Sequence, residues 1–100
     1  TIIDYGMGNM GSIQNMLRRT GHRSEITSDI EVIAKATKLI LPGVGSFDAG
    51  MQHLNESGLL EVLVKRVRED KIPILGICLG MQLLFEKSEE GELPGLGWIQ

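Results

Sequence analysis

The stretch Ile74-Leu75-Gly76-Ile77-Cys78-Leu79-Gly80-Met81-Gln82 (ILGICLGMQ) decides how the rest of this chain is read. An apolar run enters a glycine, the only cysteine of the chain follows two residues later, and a second glycine leads into a helix-like run. Gly76-Ile77-Cys78-Leu79-Gly80 has the form glycine–x–nucleophile–x–glycine, with sulfur where a serine oxygen often stands. A chain turning sharply from strand to helix forces its corner residue into an unfavourable conformation with positive φ. Side chains two positions either side would collide with that turn, hence glycine at both. The turn leaves the thiol exposed at a sheet edge and at a helix amino end, where unpaired amides favour the thiolate. The Leu79 amide is expected to point to where a substrate oxyanion would form. A lone cysteine is otherwise often a buried filler; the strand, the glycine pair and the helix make Cys78 a nucleophile instead.

Working outward, strands and helices alternate. Thr1 to Asp4 is β-branched and apolar, and a glycine-rich loop follows to Gly11. Ser12 to Arg19 is helical, with Ile13, Met16 and Leu17 on one face, and Gly21 stops it. Arg23 to Thr27 is a weak strand expected at an edge. Ser28-Asp29-Ile30-Glu31 reads as a capping box for a helix to about Ala36. Lys38 to Leu41 is the third strand, ended by Pro42, and Ser46 can cap a helix to about Asn55. Gly58 interrupts. Leu59 to Asp70 is the most periodic helix, with Leu59, Leu60, Leu63 and Val67 inward and Lys65, Arg66, Glu69 and Asp70 wet. Pro73 turns the chain into the strand Ile74–Ile77, and a helix runs from Leu79 to about Glu86. Such alternation implies right-handed βαβ units, a mostly parallel doubly wound α/β sheet, and helices covering both faces of the apolar strands. Ligands of such sheets bind beyond the carboxyl ends of the strands, where three glycine-bearing loops fall: Tyr5–Gly11, Pro42–Gly45 and Gly76–Gly80.

Composition bounds the function. One hundred residues make one small domain at most, and 42% hydrophobic with 23% charged residues is ordinary for a soluble globular protein. A net charge of −3, with no basic cluster beyond Lys65-Arg66 and nearby Arg68, argues against nucleic acid. The apolar runs are far below a membrane span. One cysteine and no signal peptide point to a reducing cytoplasm. No Cys/His cluster has zinc spacing, so neither metal nor cofactor is expected. Both ends look cut: Thr1–Asp4 reads as the last part of a strand, and Gly97-Trp98-Ile99-Gln100 as a strand just beginning. A fragment is expected.

Gly6-Met7-Gly8-Asn9-Met10-Gly11 matches the dinucleotide fingerprint G-x-G-x-x-G. Asp4 at the strand tip would face an incoming pyrophosphate, and Asp29 falls in a capping box rather than on a ribose. Tight turning and close loop packing are the preferred reading of these glycines. In Pro42-Gly43-Val44-Gly45, two glycines let peptides reorient. If the third and fourth strands are neighbours, a reoriented amide there could supply a second oxyanion donor. Gln82, four residues after Cys78, is on the same helix face; contact with a substrate and plain solvation fit the spacing equally. A cysteine hydrolase also needs a base, and neither His22, at the far end of the sheet, nor His53, within a helix, is well placed.

The motifs D-Y-G-M-G-N (Asp4–Asn9), L-P-G-V-G-S-F (Leu41–Phe47), G-I-C-L-G-M-Q (Gly76–Gln82) and S-E-E…G-L-G (Ser88–Gly97), in that order, resemble the glutamine amidotransferase subunits of imidazole glycerol phosphate synthases, of the class I, triad type. The resemblance covers all 100 residues and implies the amino-terminal part of a single flavodoxin-like amidotransferase domain, incomplete at its carboxyl end. It implies that Cys78 attacks the side-chain amide of glutamine, forming a thioester and releasing ammonia. The oxyanion hole would comprise Leu79, Gly43 and, after a peptide flip, the Val44 amide. Gly45, Gln82 and Glu90 match positions that grip the glutamine, and the catalytic His and Glu would lie beyond Gln100. A (β/α)8-barrel cyclase subunit would be the heterodimer partner and consume the ammonia in histidine biosynthesis. Met10, where Leu is common, is a mild packing change. Gly97-Trp98-Ile99 looks closer to paralogues that feed amidine-forming enzymes of surface-sugar biosynthesis, an alternative acceptor. Small cysteine hydrolases and chaperone-like proteins of the same architecture carry His directly after the elbow cysteine, where this chain has Leu79. A nucleotide-binding module using Gly6–Gly11 is the non-enzymatic alternative.

Overall fold

The computed structural model describes residues 1–85, 91 and 93–98. Four short strands, β1 (Ile2–Ile3), β2 (Ile26–Thr27), β3 (Leu39–Leu41) and β4 (Ile74–Gly76), form one parallel sheet in the order β2-β1-β3-β4. The helices are α1 (Met10–Arg19), α2 (Ile30–Lys35), α3 (Phe47–Glu56), α4 (Leu60–Val64) and α5 (Leu79–Leu83), with π-helical Lys65–Glu69 continuing α4. The chain steps from β1 out to β2, then back past β1 to β3. Right-handed crossovers therefore put α1 on one face and the later helices on the other. Ile2 and Ile3, both fully buried, point to opposite faces. Ile3, Leu39 and Leu41 join Ile33, Phe47, Leu54, Leu63 and Leu83 in the main core, and Ile2 lies on the α1 side. The sheet is the doubly wound parallel one expected, with β2 at an edge as its weak pattern implied.

Several local expectations change. Helix α1 begins two residues early because the Asn9 side chain caps it, accepting from the Ser12 amide at 3.3 Å. The capping box at Ser28 is not formed. Thr27 Oγ1 accepts from the Asp29 amide at 2.9 Å, and Asp29 caps α2 by accepting from the Glu31 amide at 2.9 Å. The strand end has already turned the chain, so the cap falls one residue later. Helix α5 ends at Leu83 rather than near Glu86. Its last carbonyls are taken from outside: Leu83, Leu84 and Phe85 accept from the amides of Leu96, Trp98 and Gly97 at 2.8, 2.8 and 3.2 Å. Gly97, with φ +71°, turns rather than opening a strand, and Trp98 packs against the core; Ile99 and Gln100 lie outside the described residues.

The periodic segment 59–70 is α-helical only to Val64. Beyond it the Asp70 amide reaches the Lys65 carbonyl at 2.9 Å, a five-residue step. Leu59 and Leu63 are buried as expected, but Arg66 is not on a wet face: its side chain is 16% exposed. Its guanidinium donates to the Ala36 carbonyl at the end of α2 and to Asp70 at 2.8 Å. That hydrogen bond, with Lys65 nearby, holds the Asp70 carboxyl below the usual carboxylate range. Cover on the two sheet faces is also unequal. On the α1 side Leu75 of β4 is 58% exposed and Ile40 of β3 is half-buried, so helices do not cover both faces of β4. Among the described residues no helix is long and apolar enough to cross a membrane.

Candidate active site

Strand β4 delivers the chain to Cys78 at the carboxyl edge of the sheet, and α5 starts at the next residue. Cys78 has φ +53° and ψ −118°, a conformation that L residues rarely adopt, and its side chain is exposed. The two flanking glycines are there for space. A Cβ on Gly76 would lie 2.6 Å from Met81 Cα, and one on Gly80 would lie 1.7 Å from the Leu41 carbonyl oxygen. Gly80 therefore lets α5 press directly onto the end of β3.

Strands β3 and β4 are neighbours, with Leu41 opposite Gly76, so the Pro42–Gly45 loop lies beside the elbow. Gly43, Val44, Gly45, Cys78, Leu79 and Gln82 line one open cleft of roughly 340 Å³. These are the residues expected from sequence, apart from Glu90, which lies outside the described residues. Two details differ from expectation. The Leu79 amide does not face an empty position: it donates to the Gly43 carbonyl at 3.1 Å. The other amides of the first turn are paired too, Gly80 with the Ile77 carbonyl at 2.9 Å and Met81 and Gln82 with the Cys78 carbonyl at 3.0 and 3.3 Å. The amides of Leu79 to Gln82, expected to be free beside the sulfur, therefore all have carbonyl partners. Gly43 contributes an acceptor to the cleft, and the Val44 amide, on the same planar peptide, points the opposite way.

The loop after β1 packs on this second loop. A Cβ on Gly8 would lie 3.1 Å from the Gly43 nitrogen, and one on Gly45 would lie 3.0 Å from the Met7 methyl. The backbone of Gly43 thus crowds Gly8 and the His53 ring crowds Gly6, so close packing accounts for these two fingerprint glycines, while Gly11 has room for a side chain. Tyr5, assigned no role from sequence, is buried here, and its hydroxyl donates to the Pro42 carbonyl at 2.5 Å. The signal for it was position: the chain's lone tyrosine stands just past a strand end, immediately before the glycine-rich loop. Burial pushes its phenol up to about 12 from the ordinary 10.0. Between those values the folded chain keeps a proton that the unfolded chain loses, so this contribution is intact below pH 10 and declines as pH rises towards about 12. Alkaline unfolding followed by circular dichroism should steepen above pH 10, and Tyr5→Phe should lack that part of the slope; superimposable profiles would refute it.

Neither histidine lines the cleft. His22 sits by Thr1, Lys38 and Pro73, at the amino ends of the strands. His53 is exposed on α3 with its ring against Gly6, where a Cβ would lie 3.0 Å from Nδ1. Among the described residues no three His, Cys, Asp or Glu side chains converge as metal ligands.

A parallel α/β sheet carrying an exposed cysteine at a strained strand–helix corner defines a protein of the nucleophile-elbow class. Residues 1–91 match the model of the family described as "Glutamine amidotransferase class-I", and the chain belongs to that family. It is 63% identical over 98 residues to the imidazole glycerol phosphate synthase subunit HisH 2 of Methanococcus maripaludis, covering 98% of this chain and 48% of that protein. It is 54% identical to the subunit HisH 2 of Pseudomonas aeruginosa and 50% identical to the subunit HisH of Bdellovibrio bacteriovorus, with the same coverage in each case. The chain spans about half the length of these relatives.

Proposed function

We propose that this chain carries the attacking half of a glutamine-hydrolysing site in a synthase that makes imidazole glycerol phosphate. The observation that carries the reading is the single cleft joining Cys78, the Leu79 amide, the Pro42–Gly45 loop and Gln82. The Cys78 thiolate attacks the carboxamide carbon of glutamine, and the former carbonyl oxygen becomes an oxyanion. Collapse expels the nitrogen, which takes up a proton and leaves as ammonia; water then cleaves the glutamyl thioester to glutamate and free thiol. Gly45 and Gln82, and by family likeness Glu90, hold the glutamine, and the base comes from a part of the protein beyond these residues.

The Gly43 carbonyl now occupies the Leu79 amide. Turning over the Gly43–Val44 peptide removes that acceptor and points the Val44 amide at the same place, so one rotation creates both oxyanion donors. A (β/α)8-barrel cyclase, as heterodimer partner, is the proposed trigger and ammonia acceptor, and a reducing cytoplasm is the proposed setting. The relatives are subunits of imidazole glycerol phosphate synthase, which favours that acceptor over an amidine-forming enzyme of surface-sugar biosynthesis. The test is glutamine turnover by a full-length form. Alone it should be slow, and a cyclase partner should raise kcat by about 100-fold if the turned peptide is populated at about 1% without it. Full activity without a partner would contradict the blocked-donor account, and activity surviving Cys78→Ala would contradict the reading itself.

A further inference from the structure

The rotation proposed above needs its neighbours to stand still. Three successive carbonyls of the loop have separate partners. Leu41 accepts from the Ile77 amide of the elbow at 3.0 Å, Pro42 from the Tyr5 hydroxyl at 2.5 Å, and Gly43 from the Leu79 amide at 3.1 Å. Only the last must break when the Gly43–Val44 peptide turns. The Tyr5 oxygen also lies beside the pivot, 2.5 Å from where a Cβ on Gly43 would be. Pro42 has φ set by its ring, so a fixed Pro42 carbonyl leaves ψ of Gly43 and φ of Val44 as the free dihedrals. Without the hydroxyl, the Pro42–Gly43 peptide can swing as well, and the Val44 amide has no fixed landing point.

We propose that Tyr5 is a positioning residue for glutamine hydrolysis: its hydroxyl, bonded to the Pro42 carbonyl, confines the movement of the oxyanion loop to the Gly43–Val44 peptide. Tyr5 touches neither glutamine nor the thiol. It acts on how well the Val44 donor is placed in the transition state, so its loss falls on kcat. Gly45 and Gln82, which hold the ground-state substrate, have no hydrogen bond to it, so KM is spared. The phenol stays protonated, and therefore a donor, across the working pH range. The inference rests on the amidotransferase reading.

The experiment compares full-length wild type, Tyr5→Phe and Tyr5→Leu with a cyclase partner present, each assayed well below its melting temperature. The readouts are kcat and KM for glutamine and the rate of Cys78 alkylation by iodoacetamide. Tyr5→Phe keeps the ring and loses only the hydroxyl; it should lower kcat about tenfold and shift KM less than about twofold. Alkylation, which needs no oxyanion donor, should proceed at the wild-type rate. Tyr5→Leu should show the same loss in kcat if the hydroxyl is what matters. A kcat in Tyr5→Phe within twofold of wild type overturns the inference, and so does a parallel loss of kcat and alkylation, which would mark a merely structural residue. If wild type itself shows no Cys78-dependent hydrolysis, the amidotransferase reading fails and the role of Tyr5 falls with it.

Discussion

Replacing Gly80 by alanine should destabilise the protein by about 3 kcal/mol or more, at the upper end of what overpacking a core costs. The added methyl would stand 1.7 Å from the Leu41 carbonyl oxygen, 2.6 Å from its carbon and 3.0 Å from the Pro42 carbonyl oxygen. All three atoms are backbone, and Leu41 is tied to β4, so no flexible side chain can move aside. Relief requires α5 to retreat from β3, which would carry Leu79 and Leu83 partly out of the core. In a chain the length of its relatives, such a loss lowers the melting temperature by about 6–12 °C. Gly11→Ala is the control. It lies in the first turn of α1, where an added methyl meets only Asn9 Oδ1 at 3.9 Å, and alanine in a helix is favoured by about 0.5–1 kcal/mol. Thermal melts placing the two variants together would show that the close approach at Gly80 is wrong.

Cys78→Gly should melt higher than wild type while losing nearly all of the proposed glutamine hydrolysis. The cysteine holds φ +53° and ψ −118°, a conformation costing a non-glycine residue about 1–3 kcal/mol. Glycine adopts it freely but gives back about 0.5–1 kcal/mol in unfolded-chain entropy. The net gain is about 1 kcal/mol, or about 2–4 °C for a chain of the relatives' length. Removing the nucleophile should cost at least about 1,000-fold in kcat, since no other described side chain in the cleft can form the thioester. Cys78→Ala separates the two effects, because alanine loses the sulfur and keeps the strain. It should be as inactive as Cys78→Gly and melt below it. The reverse order of melting temperatures would mean that the elbow is not strained in solution.

Much of the fold was legible because its signals are local. Alternation of apolar runs with glycine and proline punctuation marks the βαβ order, and the poor apolar content of Arg23–Thr27 marks an edge. The elbow was legible for the same reason: the two glycines, the strand before and the helix after all lie within nine residues. The misreadings came where a distant partner intervened. Arg66 follows the wet side of a helical wheel, yet the π-helical turn and the Ala36 carbonyl of another helix draw it inward. Helix α5 has an apolar pattern that could continue, but amides from 96–98 claim its last carbonyls. Leu75 looks like a core residue and is exposed, because hydrophobicity states a preference and not what lies opposite.

The sequence alone determined that Cys78 sits at a forced corner, since positive φ and the need for Gly76 and Gly80 follow from sterics within one turn. It also marked the Pro42–Gly45 loop as able to reorient. Only the tertiary structure decided what that loop does at rest. The Gly43 carbonyl lies on the Leu79 amide, and the Tyr5 hydroxyl lies on the Pro42 carbonyl, because parallel pairing sets β1, β3 and β4 side by side and brings three loops to one edge. Hydrogen bonds between residues 36 or 37 positions apart depend on strand order and register. No local pattern encodes those, and they decide whether an amide in the cleft is free to meet a substrate.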